Sequence, residues 1–196
     1  MDSITVKAYA KVNMSLAVKE KLPDGYHGIE TLFRGISLWD TLVLTKNNRG
    51  MELHCDAPRE WGLPEGRENL AWQAAELLRS AYPKEISGVK MQLHKAIPLD
   101  AGLGGGSADA AAVLLGLDRL FALKLDEENL GRFAAQLGSD VSFCLHALAA
   151  VGHGRGDELM LIPPGAPLWV LLIKPSFGLS AKDVYACWDG CNDETA

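Results

Sequence analysis

Pro98-Leu99-Asp100-Ala101-Gly102-Leu103-Gly104-Gly105-Gly106-Ser107-Ala108 lies near the middle of a 196-residue chain, and its reading decides the rest. Four glycines around Leu103 leave most of this turn without Cβ atoms, so successive N–H groups can converge on one point. Upstream, Val89, Met91 and Leu93 alternate with polar neighbours, the pattern of a half-buried strand. Downstream, Ser107 to about Leu120 is alanine-rich with helical periodicity. A helix start contributes four unpaired N–H donors and the positive end of the helix dipole. Strand, glycine loop and helix in that order suit an anion, a phosphate chain above all. The plainer alternative is a tight turn with Ser107 as N-cap. Two better-known phosphate motifs do not fit. Walker A needs a lysine before Ser107, where Gly106 stands, and a dinucleotide fingerprint needs an acid on a second strand, whereas Asp126-Glu127-Glu128 opens a helix.

Outward from the loop, the N-terminal quarter reads as β-rich. Ile4 to Val18 predicts one or two strands, interrupted at Lys11 and Asn13, and Pro23-Asp24-Gly25 is a turn. Ile29–Ile36 and Thr41–Thr45 predict two further strands. Asn47-Asn48-Arg49-Gly50 predicts a hairpin from Leu42–Leu44 to the alternating Met51, Leu53 and Cys55, followed by an irregular loop with Pro58 and Pro64. Helices are expected over 68–82, with Asn69 at the start, and over 129–137, stopped by Gly138. A further helix is expected over 140–147 and another over 181–188, while Trp169–Ile173 reads as a short apolar strand. Strands first and helices later argue for an α+β fold rather than a regular alternation.

Composition excludes several classes. Hydrophobic residues are 48% and charged residues 22%, as in ordinary folded domains. A net charge of −6 with no Lys/Arg run gives no footprint for nucleic acid. Charges interrupt the first apolar stretch and no apolar run is long enough to span a bilayer, so no membrane association and a cytoplasmic location are expected. Cys55, Cys144, Cys187 and Cys191 lack paired metal-ligand spacing and read as reduced thiols, and His54, His94, His146 and His153 read as structural. No metal site formed by protein ligands is expected.

The pattern Pro98-x3-Gly102-Leu103-Gly104-Gly105-Gly106-Ser107-Ala108-x-Ala110-Ala111 resembles the ATP motif of the GHMP kinases, which include galactokinase, homoserine kinase and mevalonate kinase. Three further stretches are similar to the branch acting on 4-diphosphocytidyl-2-C-methyl-D-erythritol: Ala10-Lys11-Val12-Asn13-Met14-Ser15-Leu16, the run from Asp24-Gly25-Tyr26-His27 to Phe33, and Leu137-Gly138-Ser139-Asp140-Val141-Ser142-Phe143. The similarity extends from about Tyr9 to Tyr185. It implies an α+β GHMP-kinase N-terminal domain, ribosomal protein S5 domain 2-like, over 1–160, with 161–196 the start of an incomplete C-terminal domain. The implied activity is transfer of the ATP γ-phosphoryl group to the substrate's 2-hydroxyl in the non-mevalonate isoprenoid pathway, with Mg2+ carried by the nucleotide, in a monomer or homodimer. A mevalonate- or homoserine-type kinase and a non-catalytic nucleotide-binding fragment are the alternatives.

The resemblance also implies roles. Asp140 and Lys11 match the catalytic aspartate and lysine, and the loop from Pro98 to Ala108 holds the nucleotide phosphates. Tyr26, His27 and Tyr185 match cytidine-binding positions, Asn13 one near the substrate, and Asn69 and Lys95 positions near the adenosine. The chemistry agrees, since phosphoryl transfer needs a carboxylate for the acceptor proton and a cation for developing charge. Taken alone, Asp140 reads equally as a helix cap, Asn69 as an N-cap, Lys95 as a solvated strand residue and Tyr26-His27 as a turn pair. Family members carry a third glycine-rich motif that is not found after Gly156, so a truncated or naturally short chain is expected, with Trp169–Ile173 exposed.

Overall fold

The computed structural model describes residues 1–23, 25–58, 61–146, 148–175, 177–178 and 181–193, with backbone alone at 181–182 and 190–193. Asp24 of the first turn, Ser176, Leu179 and Ser180 of the C-terminal stretch, the Cys191 side chain and the tail from 194 lie outside the described residues. The element order is β1 (Ser3–Lys21), β2 (His27–Lys46), β3 (Met51–Asp56), α1 (Leu70–Ala81), β4 (Val89–His94), α2 (Gly105–Phe121), α3 (Glu127–Leu137), α4 (Ser139–Cys144), β5 (Ala149–His153), β6 (Glu158–Leu161) and α5 (Ala181–Asp193). This is the expected α+β class.

The sheet is organised by β2. One edge pairs antiparallel with β1, from Ser3 opposite Thr45 to Lys21 opposite His27. The other edge carries two strands end to end, β4 against Thr41–Lys46 and β5 against Thr31–Arg34. The two strands expected over 29–36 and 41–45 are therefore one. β6, which the sequence reading missed, pairs antiparallel with β5.

The expected β2–β3 hairpin is not formed. β3 pairs in parallel with β4, which lies between it and β2, and the β3–α1–β4 segment makes the helical crossover that parallel neighbours require. The turn at 47–50 closes instead on the start of β4, through Asn47 N–H to Gly88 O (3.1 Å) and Val89 N–H to Gly50 O (2.9 Å). Gly88 permits this approach, because a Cβ there would collide with the carbonyl oxygens of Gly50 and Asn47.

α2 packs against the sheet and is the centre of the core. Its alanine-rich sequence is explained by that position: Ala108, Ala110, Ala111, Ala112, Val113, Leu114 and Leu117 are all buried, against α1 on one flank and α3 and α4 on the other. Small side chains allow close approach on several faces at once. Asn69 caps α1 through Ala71 N–H, and Asp126 caps α3 through Asn129 N–H.

Trp169–Ile173 is not a strand. It runs through the extended coil after β6, with Trp169, Leu171 and Ile173 at least 83% exposed, because no strand of the sheet pairs with it. The exposure is as expected; the secondary structure is not. Among the described residues no helix is long and apolar enough to cross a membrane.

Candidate active site

Lys11 stands at a break in strand register. In the first half of β1, Val6 and Ala8 face the core, whereas in the second half the odd-numbered Lys11 and Asn13 share a face with Phe33, which stacks on Phe143 of α4. The change of parity falls between Tyr9, opposite Trp39, and Lys11, opposite Gly35, where the ladder shifts. Across it β1 advances by two residues while β2 advances by four, an irregularity that bends and twists the ladder locally. It coincides with the interruption read from the sequence at Lys11.

Turned inward, Lys11 is 6% exposed and fully engaged. Its Nζ lies 3.2 Å from Asp140 Oδ2 and donates to Asn13 Oδ1 at 2.9 Å. Asn13 Nδ2 in turn donates to Thr31 Oγ1 (2.7 Å), whose hydroxyl donates to Ser15 O (2.7 Å). This chain fixes which way the Asn13 amide faces and leaves the Lys11 ammonium aimed at the carboxylate. Asp140 stands in the first turn of α4, just after Gly138, where the chain reverses between two helices.

The glycine loop sits directly on Lys11. The Lys11 N–H donates to Leu103 O at 2.9 Å, and a Cβ on Gly104 would lie 3.1 Å from both Cε and Cγ of Lys11. Gly104 has φ +68°, so both space and backbone call for glycine. It is also the N-cap of α2, which starts two residues earlier than Ser107 and has no side-chain cap. Ser107 is therefore in the first turn rather than at the cap. An uncapped start of a 17-residue helix leaves N–H donors for a ligand.

These groups open onto one cleft of about 900 Å³. Lys11, Asn13, Asp140, Pro98, Asp100, Ala101, Gly102, Leu103, Tyr26 and Tyr185 all line it, brought together from five separated stretches of sequence. Leu99, Gly104 and the helical part of the loop, Gly105, Gly106, Ser107 and Ala108, do not line it, and neither does His27. At the far end, Tyr185 of α5 stacks on His27, with centroids 5.3 Å apart and planes 12° apart. His27 is held from behind by Asp189, Nε2 to Oδ1 at 2.7 Å, and Lys21 reaches the other oxygen at 2.9 Å. Hydrogen bonds from Lys21 and His27 keep the Asp189 carboxyl below its usual range, so it accepts and the His27 Nε2–H donates. Burial, then the charge of Asp140, raises the Tyr185 phenol.

Two expected site residues have other partners. Asn69 is spent as a cap and donates its amide to Pro64 O (2.8 Å). Lys95 is a correction: it is not a solvated strand residue, because β4 ends at His94 and its side chain is 0% exposed. Its Nζ is paired with Asp40 (2.5 Å) and Asp109 (2.7 Å), behind the glycine loop. Neither Asn69 nor Lys95 lines the cleft. Sequence reading also missed Asp189, Arg155, which lies 5.1 Å from the Tyr26 ring centre, and Phe33 beneath the Lys11 ammonium at 5.5 Å. Only Arg155, between two glycines, carries a local signal. Of the other histidines, His94 meets Asp56 at 3.0 Å and His54 meets Glu65 at 3.4 Å at the surface. Burial pushes the Cys144 thiol up to about 12 and that of Cys55 up to about 11.

Residues 69–147 match the family described as GHMP kinases N terminal domain. A 4-diphosphocytidyl-2-C-methyl-D-erythritol kinase of Moorella thermoacetica is 46% identical over 195 residues, which is 100% of this chain and 67% of that protein. The kinase of the same name from Acetivibrio thermocellus is 42% identical, over 95% of this chain and 64% of its own length. A crystal structure of 4-(cytidine 5'-diphospho)-2C-methyl-D-erythritol kinase superposes with a TM-score of 0.68 at 41% identity, over 81% of this chain and 55% of that one. The chain thus spans about two thirds of the length of the curated relatives it matches. On these grounds it belongs to the GHMP kinases and, within them, to the family of 4-diphosphocytidyl-2-C-methyl-D-erythritol kinases.

Proposed function

We propose that this chain binds ATP through the loop from Pro98 to Ala108 and transfers its γ-phosphoryl group to the 2-hydroxyl of 4-diphosphocytidyl-2-C-methyl-D-erythritol. The observation that carries the reading is the pairing of buried Lys11 with the partly exposed Asp140, 3.2 Å apart, at the foot of a glycine loop hydrogen-bonded to the Lys11 backbone. The loop fits a phosphate chain: α2 begins without a side-chain cap, and a Cβ on Gly102 would meet only open space. Mg-ATP, when bound, supplies the phosphoryl group and a divalent charge on its phosphate oxygens.

The residues of the chain divide the remaining work. Asp140, one third exposed at the cleft, takes the proton of the acceptor hydroxyl. Lys11, held by Asn13 and Asp140 and shielded from water, places a fixed positive charge where negative charge develops. Pre-orientation through Asn13 and Thr31 means little reorganisation is needed during transfer. Tyr26 and Tyr185 line the cleft and His27 is stacked on Tyr185, an aromatic group suited to stacking and edge recognition of a cytosine. For the base to lie between rings, the direct His27–Tyr185 stack must open, since 5.3 Å between centroids leaves no room for a third ring.

The test is ADP release with the cytidine substrate, beside mevalonate and homoserine as acceptors. Turnover on the cytidine substrate alone is expected. Turnover on another acceptor only, or ATP-dependent thermal stabilisation with no phosphorylated product, would overturn the reading.

A further inference from the structure

The Asp40–Lys95–Asp109 cluster is the most deeply buried set of charges described, with side-chain exposures of 0%, 0% and 3%. It joins the two stems of the glycine loop. On the incoming stem, Asp40 Oδ1 accepts from the N–H groups of Ala96 (2.5 Å) and Ile97 (2.8 Å), and its other oxygen takes Lys95 Nζ. On the outgoing stem, Asp109 projects from the second turn of α2 and takes the same ammonium through Oδ2. Lys95 Nζ lies 3.3 Å from where a Cβ on Gly105 would stand, directly behind the helix start.

The count of charges does not close. Two carboxylates share one ammonium, Asp40 is fully satisfied, and Asp109 Oδ1 is buried with no partner. A dry site tolerates a net charge poorly, and a proton is the missing counter-charge. We propose that Asp40, Lys95 and Asp109 are positioning residues for the phosphate loop, and that Asp109 is carried as the neutral acid whose ionisation weakens the loop's hold on an anion. This rests on the nucleotide reading of the loop given above. Burial, opposed by Lys95, pushes the Asp109 carboxyl up to about 8, in line with the geometry. Burial alone would lower the Lys95 ammonium, but the two carboxylates hold it above its usual value. Packed around Asp109 are Lys95 and Asp40, with Cys55 of β3 and Cys144 of α4 as the other titratable neighbours; both thiols are raised to about 11 or 12. α1 turns Ala71, Ala74, Ala75 and Leu78 inward and adds no charge, whereas β1 turns in Ala8 and the buried Lys11, whose ammonium is matched by Asp140 and which shares Cys144 as a neighbour with Asp109.

Two readouts test this. Carbon-13 NMR of aspartate carboxyls in the wild-type chain should show one group titrating near 8, absent from Asp109→Asn. If every aspartate titrates below about 5, the usual carboxylate range, the proposal is overturned. Calorimetric ADP binding between about pH 7.5 and 9.5, where phosphate ionisation is complete, should weaken about three- to ten-fold in wild type, as expected for one charge near the phosphates, and stay flat in Asp109→Asn. Constant wild-type affinity, or an equal loss in the variant, overturns the link to the loop. No ADP binding at any pH would instead overturn the nucleotide reading and with it this affinity effect, while the NMR titration still decides the proton.

Discussion

Replacing Lys11 by methionine separates its charge from its bulk. The methionine stem keeps the packing against Gly104 and Phe33, so no large cavity opens. What is lost is the ammonium between Asp140 and Asn13. The bare Coulomb energy of a pair 3.2 Å apart would be about 5 kcal/mol at an effective dielectric of about 20. Most of it is not recoverable as stability, because Asp140 is 36% exposed and water solvates it once the partner is gone. The orphaned Asn13 Oδ1 is the larger cost, about 1–2 kcal/mol. For a chain of this size that amounts to a fall of about 3–6 °C in Tm. Turnover should suffer far more, since a preorganised charge beside the transferring group is worth about 100- to 1000-fold in kcat. The KM for ATP should move less than about three-fold, because the loop amides remain in place. Thermal unfolding and ADP release on the same preparation measure all three. A kcat within about ten-fold of wild type would refute the assigned role, and a Tm drop beyond about 10 °C would show that the ammonium is chiefly structural.

Gly104→Ala and Gly102→Ala share a left-handed backbone, φ +68° and +69°, and each should lose about 1–2 kcal/mol in denaturant unfolding. Only the Gly104 change also presses on Lys11, so it should lose more stability than the Gly102 change; equal losses would refute the contact. Tyr185→Ala removes the ring stacked on His27 and should weaken CDP binding about five- to ten-fold by calorimetry. Cys144, buried and raised to about 12, should resist iodoacetamide at about pH 8 while the exposed Cys187 reacts, read by mass spectrometry. Ligand-free stability should fall as pH rises from about 4 towards 8, because folded Asp109 keeps a proton that the unfolded chain releases, and level off above. Asp109→Asn should flatten that slope in a pH series of thermal melts.

Local chemistry was legible without coordinates. The strand, glycine loop and helix around Gly104, the caps at Asn69 and Asp126, and the burial pattern of β4 each depend on residues a few positions apart. The family motifs then pointed to Lys11, Asp140 and Tyr185, which the cleft does bring together. Apart from the missed β6 and the early start of α2, the errors concern partners distant in the chain. A turn at 47–50 is compatible with a hairpin, and only the α1 crossover and the approach at Gly88 put β4 between β2 and β3. Trp169–Ile173 has strand composition but no strand of the sheet beside it, and β propensity counts only where a neighbouring strand exists. Lys95 reads as solvated because its two carboxylates come from Asp40 and Asp109, on β2 and α2. The sequence by itself determined a glycine turn open to an anion, which follows from backbone freedom, and its family motifs named Lys11 and Asp140 as the groups proposed to react. Tertiary structure decided which face Lys11 presents and what charge stands behind the loop, because register and burial are set by contacts between residues far apart in the chain.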